Sequence, residues 1–423
     1  MLLLRNRYPD DENVQVLWAD SVLLMTPWEY YDSTKGAGGE KLKESMVPVF
    51  ETLKRIVALP KPHLLALHLW IHLVEQSTRP QQGEAAADAL VAAIRDDGTS
   101  HLIHMPSHIY FRTGRYKDCI SSSQLAIVQD ETYLNKCLKP YLPTHNQAMF
   151  VACSMARGDL ELAKSISPPL FQAEPLSASY PAAIFPPPKE LVFARFGEWP
   201  SILSLPSEDG ILKDPQYPYL RAQSLYARTL GLLWTGEANN AKLSMEDFQR
   251  EAAGVPPDSL SIEHVFYQYH REIVQLLNLT LWAAFETNGG NYEQALIPLR
   301  AAVKLQDSFT YMEPENHYIP LRQCLAAVLL KLCEFKKTAT SGTVECLQSV
   351  QEYHEDLAQH PHNAFALQGL QAAVDLLGVH ATGVSGRLPE VVRGETELLS
   401  QMGISGSCCE VGLCKIRPKL RAI

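Results

Sequence analysis

One short phrase recurs along this chain and constrains its fold more than any other feature: a glycine, an aromatic two positions on, and a small residue three beyond that. Gly114-Arg-Tyr116-Lys-Asp-Cys119 and Gly290-Asn-Tyr292-Glu-Gln-Ala295 carry it in full. Gly158-Asp-Leu160-Glu-Leu-Ala163 and Gly236-Glu-Ala238-Asn-Asn-Ala241 are looser copies. Glycine reaches the left-handed backbone that turns a chain out of a helix. The aromatic then packs between two helices, and the small residue lets them approach. Four such turns specify helical hairpins, and a stack needs about three hairpins before it is stable.

The stretches around these turns agree. Lys41 to Leu59, Gln82 to Ile94, Ile262 to Thr287 and Tyr292 to Leu305 carry apolar residues at helical spacing, and period-2 alternation is rare. The phrase resembles the turn of a tetratricopeptide repeat. The expected fold is therefore all-α, with tetratricopeptide-repeat-like hairpins stacked into a curved solenoid. The glycines are 44, 78 and 54 residues apart, against about 34 in a regular array, so the array is degenerate and interrupted. Seven prolines in residues 167–188 forbid a continuous helix there. The expected organisation is N-terminal repeats over 1–166, a Pro-rich interruption over 167–188, C-terminal repeats over 189–378, and an irregular tail over 379–423.

The chemistry concentrates elsewhere. Half of the 14 histidines fall between His63 and His145. His68 and His72 stand four apart, so one helix presents both imidazoles on one face, and Glu75 follows one turn after His72. Such a helix can supply two nitrogens and an oxygen to a metal. The apolar flanks also allow two buried imidazoles with no ligand. A second phrase, His101-Leu-Ile-His104-Met-Pro-Ser-His108, is interrupted by Pro106, which is expected to start a new helix. His101 and His104 would then project from a loop, His101 as the weaker candidate. His145 opens a further helix beside Asn146, a possible cap or orienting group, and His63 reads as a helix-start residue. Glu313 is a weaker candidate, since Pro314 after it suggests helix capping. Cys408, Cys409 and Cys414 read as incidental thiols of the tail. Together His68, His72, Glu75, His104, His108 and His145 exceed what one zinc takes. The set suits a dinuclear centre of a divalent transition metal, copper, iron or zinc, better than magnesium or calcium.

Longer phrases carry a resemblance. Tyr8-Pro-Asp-Asp-Glu, His63 to Glu75, His101 to Tyr116, Ala126-Ile-Val-Gln-Asp130 and His145-Asn146 come first. Tyr311-Met-Glu-Pro314, Pro320-Leu-Arg322 and Ala364 to Leu370 follow. Over about residues 8–378 the chain resembles the tetratricopeptide repeat protein 38 type, an uncharacterised family. The resemblance implies the helical-repeat fold, leaves the reaction open, and suggests a version shortened at its N-terminus.

Charge and composition narrow the partners. A net charge of -10 argues against a nucleic-acid surface, and no apolar run approaches the roughly 18 residues of a membrane span. Nine scattered cysteines argue against a disulfide framework and for a reducing, cytoplasmic setting. Two functions compete. One is a metal-dependent oxidoreductase or hydrolase acting on a small molecule in the groove. The other is a non-catalytic scaffold that grips a peptide segment, its histidines being structural. Arg112 and Arg115 stand alone near the repeats, with no set of basic residues to clamp an acidic peptide end.

Overall fold

A computed structural model of the chain describes residues 1–33, 38–94, 99–167, 188–205, 218–258, 269–315, 317–336 and 343–378. Among these residues the fold is all-α: helices follow one another from Leu2–Arg7 to Ala364–Gly378 and pack mainly on their sequence neighbours. Isolated bridges join Tyr31 with Leu42 and Gly39 with Ser77. No described helix is long and apolar enough to cross a membrane. Most of the Pro-rich interruption (168–187) and the whole tail, with Cys408, Cys409 and Cys414, lie outside the described residues.

The recurring glycines share one local geometry. Gly114, Gly158, Gly236 and Gly290 each end a helix with φ between 75° and 90°. They separate Pro106–Arg112 from Tyr116–Asn135, Pro143–Arg157 from Leu160–Ile166, Pro218–Trp234 from Ala238–Gly254, and His270–Asn288 from Tyr292–Gln306. In each, the amide after the glycine donates to the carbonyl five residues back, at 2.8–2.9 Å. This bond answers a carbonyl that the helix end leaves open. A fifth turn of the same form occurs at Gly197 (φ 70°), between Lys189–Phe196 and Trp199–Ser204. Its phrase, Gly197-Glu-Trp199-Pro-Ser-Ile202, has isoleucine where the other copies have a small residue. The closing residues Cys119, Ala163, Ile202, Ala241 and Ala295 are all buried.

Local boundaries depart from the periodic pattern where tertiary contacts intervene. The helix expected from Lys41 begins as a 3-10 turn at Glu44–Met46 and becomes regular at Val47–Val57, because Leu42 bridges to Tyr31 and the Lys43 amide donates to Tyr30. The helix expected from Ile262 is described from His270 onward. Cysteine usage is a correction: Cys119 pairs with Cys153, and Cys333 with Cys346. Each pair joins neighbouring helices that the fold had already brought together, which spacing along the sequence does not reveal.

Three buried apolar clusters follow one another along the chain. The first is centred on residues such as Leu53, Ile71, Met105 and Phe150, the second on Tyr226, Phe248 and Leu277, the third on Tyr353 and Leu370. The first cluster includes Phe365, and Tyr318 packs against both the first and the second. C-terminal segments thus return to the N-terminal helices. One of them is irregular: residues 309–315 and 317–320 lie between the helices Tyr292–Gln306 and Leu321–Lys336. No helix starts at Pro314, so Glu313 is free of the capping role expected for it.

The glycine turns differ in their surroundings. A Cβ on Gly290 would meet nothing within 4 Å, whereas one on Gly114 would come within 2.3 Å of the Pro361 carbonyl oxygen. Gly290→Ala should therefore cost only the left-handed backbone penalty, about 1–2 kcal/mol, and Gly114→Ala distinctly more. Urea unfolding of the two variants checks this; equal losses would show that the Pro361 contact contributes nothing.

Candidate metal centre

The site begins with the helix Leu64–Glu75. His63 caps it, its Nδ1 accepting the Leu65 amide at 3.1 Å while Nε2 meets Asn13 Oδ1 at 3.2 Å. His63 therefore stands apart from the other histidines. The helix is apolar nearly all round: Leu67, Trp70, Ile71, Leu73 and Val74 are buried. Only the stripe carrying His68, His72 and Glu75 meets a polar neighbourhood, as their one-turn spacing dictates.

The second phrase departs from the expected loop. Ser100–His104 is a short helix, and Pro106–Arg112 is the next, with Met105 between them in right-handed helical backbone. Proline at the first position of a helix loses no bond that the helix could have made. The two pieces therefore run on with little break, and His101, His104 and His108 line up on one side. His145 occupies the first turn of Pro143–Arg157, behind the left-handed Leu142. Asn146 does not cap that helix; its Nδ2 donates to Asp130 at 2.7 Å.

These elements bring six imidazoles into two trios. His68, His72 and His101 form one, and His104, His108 and His145 the other; within each, one nitrogen per ring lies within 4.8 Å of the other two. In the first, His68 Nε2 is 3.1 Å from His101 Nε2. In the second, His108 Nε2 is 2.8 Å from His104 Nε2 and 3.4 Å from His145 Nε2. Two nitrogens can share one proton, but three aimed at one point cannot all be satisfied by each other. They can be by a cation, and nitrogens about 2.0–2.1 Å from a tetrahedral ion would sit about 3.3 Å apart. His68 Nδ1 is buried without a hydrogen-bond partner.

Behind the trios lie two carboxylates. Glu75 is fully buried; its Oε1 is 3.0 Å from His72 Nδ1 and its Oε2 2.8 Å from His108 Nδ1. Glu313 Oε2 reaches the same His108 Nδ1 at 2.8 Å. The hydrogen bond of that nitrogen goes to Glu313, while Glu75 Oε2, equally close, lacks a hydrogen-bond partner. Tyr311 Oη donates to the other oxygen of Glu313. A carboxylate on Nδ1 fixes the ring and leaves Nε2 to face a ligand. Glu75 holds His72 in this way and Glu313 holds His108, with the second oxygen of Glu75 lying 2.8 Å from the same His108 nitrogen. Glu75, His108 and Glu313 form a third group within the same reach.

The electrostatics divide the histidines. Burial, aided by neighbouring imidazoles, pushes His68 down to about 2 and His101 to about 3, and holds His104 well below the ordinary value. His108 is the opposite case: burial lowers it, but the Glu75 and Glu313 carboxylates outweigh burial and raise it to about 10. Burial opposes ionisation of Glu75, yet His108 and His72 hold it at about 2, whereas burial keeps Glu313 raised.

The structure thus gathers every residue singled out as a metal candidate, and His101 and Glu313, the weaker two, stand as close in as the rest. Sequence reasoning missed the walls of the adjoining cavity, Trp28, Tyr30, Tyr141 and Met312 among them, which belong to loops without periodic signal. No protein-family model, curated protein or solved structure matches this chain.

A pH dependence follows. Folded His68 and His101 titrate below the unfolded value of about 6.5. Between those values the unfolded chain binds more protons, so stability is fully present above about pH 6.5 and falls as pH drops toward 3. Urea unfolding at pH 5 to 8 in chelator should show this fall, and His101→Gln should make it shallower. A variant with the unchanged slope would contradict the assignment.

Proposed function

We propose that this chain is a helical-repeat protein of the tetratricopeptide type that holds two divalent transition-metal ions, one on each histidine trio, and acts on a small organic molecule. One observation carries the reading: two sets of three imidazole nitrogens, from helices far apart in sequence, converge around two adjacent points, with a buried carboxylate behind both. His68, His72 and His101 would hold one ion, and His104, His108 and His145 the other. Glu75 and Glu313 would orient the rings. Nitrogen-only sets suit copper, iron or zinc rather than magnesium or calcium. Such a pair supplies Lewis-acid or one-electron chemistry for activating water or dioxygen, hence an oxidoreductase or a hydrolase. The phrases shared with the tetratricopeptide repeat protein 38 type support grouping the chain with that family.

The competing reading, a repeat scaffold that binds a peptide, has the five glycine turns in its favour. It gives no reason for six imidazoles to turn inward. Binding chemistry is carried by sites rather than by folds, and the site here is rich in nitrogen ligands.

The reading is tested by metal content after reconstitution with zinc, copper(II) or iron(II). The intact chain should hold about two equivalents of one of these ions. His72→Ala should lose about one and keep the other, and His104→Ala should do the same for the second trio, with helical content preserved because a repeat array draws its stability from neighbour contacts. Less than about a tenth of an equivalent in the intact chain would sink the proposal.

A further inference from the structure

A cavity of about 360 Å³ opens directly in front of the first trio. Its floor is polar and buried: Glu75, His108 and Glu313 lie there beside His68, His72 and His101. Its walls and mouth are apolar and aromatic, formed by Leu24, Trp28, Tyr30, Tyr141, Leu142 and Met312. At the mouth Leu24 is 69% exposed and Tyr141 62%. The cavity is therefore amphipathic along its depth, apolar at the entrance and polar at the end.

Two of the wall rings are seated on the trio itself. Trp28 stands edge-on to His72 with ring centroids 5.2 Å apart, and Tyr141 edge-on to His101 at 5.1 Å. Trp28 and Leu142 both hold left-handed backbone, with φ 65° and 48°. Side chains other than glycine adopt this conformation only where the surroundings impose it. In both loops it falls on a residue that lines this cavity.

We propose that the cavity binds a small phenol, its ring between Trp28 and Tyr141 and its hydroxyl toward His72 and His101. Flat rings seated on His72 and on His101 suit a flat ligand, with edge or offset contacts to each. The floor offers imidazole nitrogens and carboxylate oxygens. A hydroxyl can donate to these, and can also offer its oxygen to a cation. Charge sets a second limit. Among the described residues no Lys or Arg lines the cavity, and Asp20 stands one turn before Leu24 at the mouth. A ligand with an anionic group opposite its hydroxyl would set that charge beside Asp20 and among leucines, where nothing compensates it. The phenol is thus uncharged at its outer end. The inference rests on the metal reading for any reaction of the phenol, but the binding depends on walls that the chain provides by itself.

The test is calorimetric titration of the full chain with p-cresol, as zinc-loaded protein and in chelator. p-Cresol should bind one to one with Kd of about 0.1–5 mM in both states. Tyr141→Ala and Trp28→Leu should each weaken it about fivefold with zinc content unchanged. Tyr141 is largely exposed, so its truncation leaves the fold intact, as circular dichroism will verify. 4-Hydroxybenzoate, which adds a para carboxylate, should bind at least about tenfold more weakly than p-cresol. No saturation by about 50 mM p-cresol, 4-hydroxybenzoate binding as tightly as p-cresol, or wild-type affinity in both variants would each overturn the proposal. The two readings fail separately. p-Cresol binding with these dependences but no uptake of zinc, copper(II) or iron(II) discards the metals and keeps the phenol site; uptake of one of these ions without p-cresol binding does the reverse.

Discussion

A carboxylate with no exposed surface has to be answered by donors, and around Glu75 much of the site is arranged to do so. Its two oxygens lie against His72 and His108, one imidazole from each trio. An uncompensated charge in that position would be severely destabilising. Holding it requires the helix Leu64–Glu75, which also carries His68, to lie against Pro106–Arg112. Once those two helices are fixed, His101 and His104 follow from the short helix before Pro106, and only His145 and Glu313 come from further away. The two trios are therefore neighbours because they share one carboxylate.

The scaffold solves a different problem by repetition. Five helix ends are closed by the same left-handed glycine and the same bond back to an open carbonyl. Each turn joins two helices that pack on each other, and most of the helix faces remain available for other work. Where Gly114 meets the Pro361 carbonyl, a turn doubles as a contact between distant parts of the chain.

What was legible in the sequence and what was not divides along the same line. The glycine turns and the pair His68 and His72 are local features, set by helical periods of a few residues, and they stand in the structure as the spacing implies. For His101 the sequence signal misleads, because Pro106 points to a loop before it. The proline instead takes the first position of a helix, and the backbone before it stays helical through Met105. Gly197 lacks the full phrase, because Ile202 replaces its small residue. Glu313 is the clearest case of a place fixed by tertiary contact: it meets His108 across 205 residues of sequence, while its own neighbour Pro314 points to a cap. Trp28 and Tyr141 lie in loops, where no period announces which way a ring will face.

The delivery of Glu313 depends on the C-terminal helices. The segment that carries it is gripped from two sides. On one side Glu313 bonds to His108, and Arg112 covers the Tyr311 ring at 4.9 Å. On the other, Glu315 meets His360 Nε2 at 2.7 Å, and His360 Nδ1 meets Asp356 at 3.0 Å. Asp356 accepts from Gln323, whose Oε1 accepts from the buried Arg195. Burial lowers the His360 pKa, but Glu315 and Asp356 outweigh it and raise it to about 10, so this imidazole is a cation between two carboxylates. Asp356 is buried, so loss of His360 would leave its carboxylate without its cation, whereas Glu315 is partly exposed and screened by solvent. This line of bonds starts on Lys189–Phe196, passes through Leu321–Lys336 and Thr343–Gln359, and ends two residues from Glu313. A histidine cluster encoded within the first 145 residues thus takes its second carboxylate from a segment that the helices Leu321–Lys336 and Thr343–Gln359 help to hold, so the site draws on both ends of the described chain.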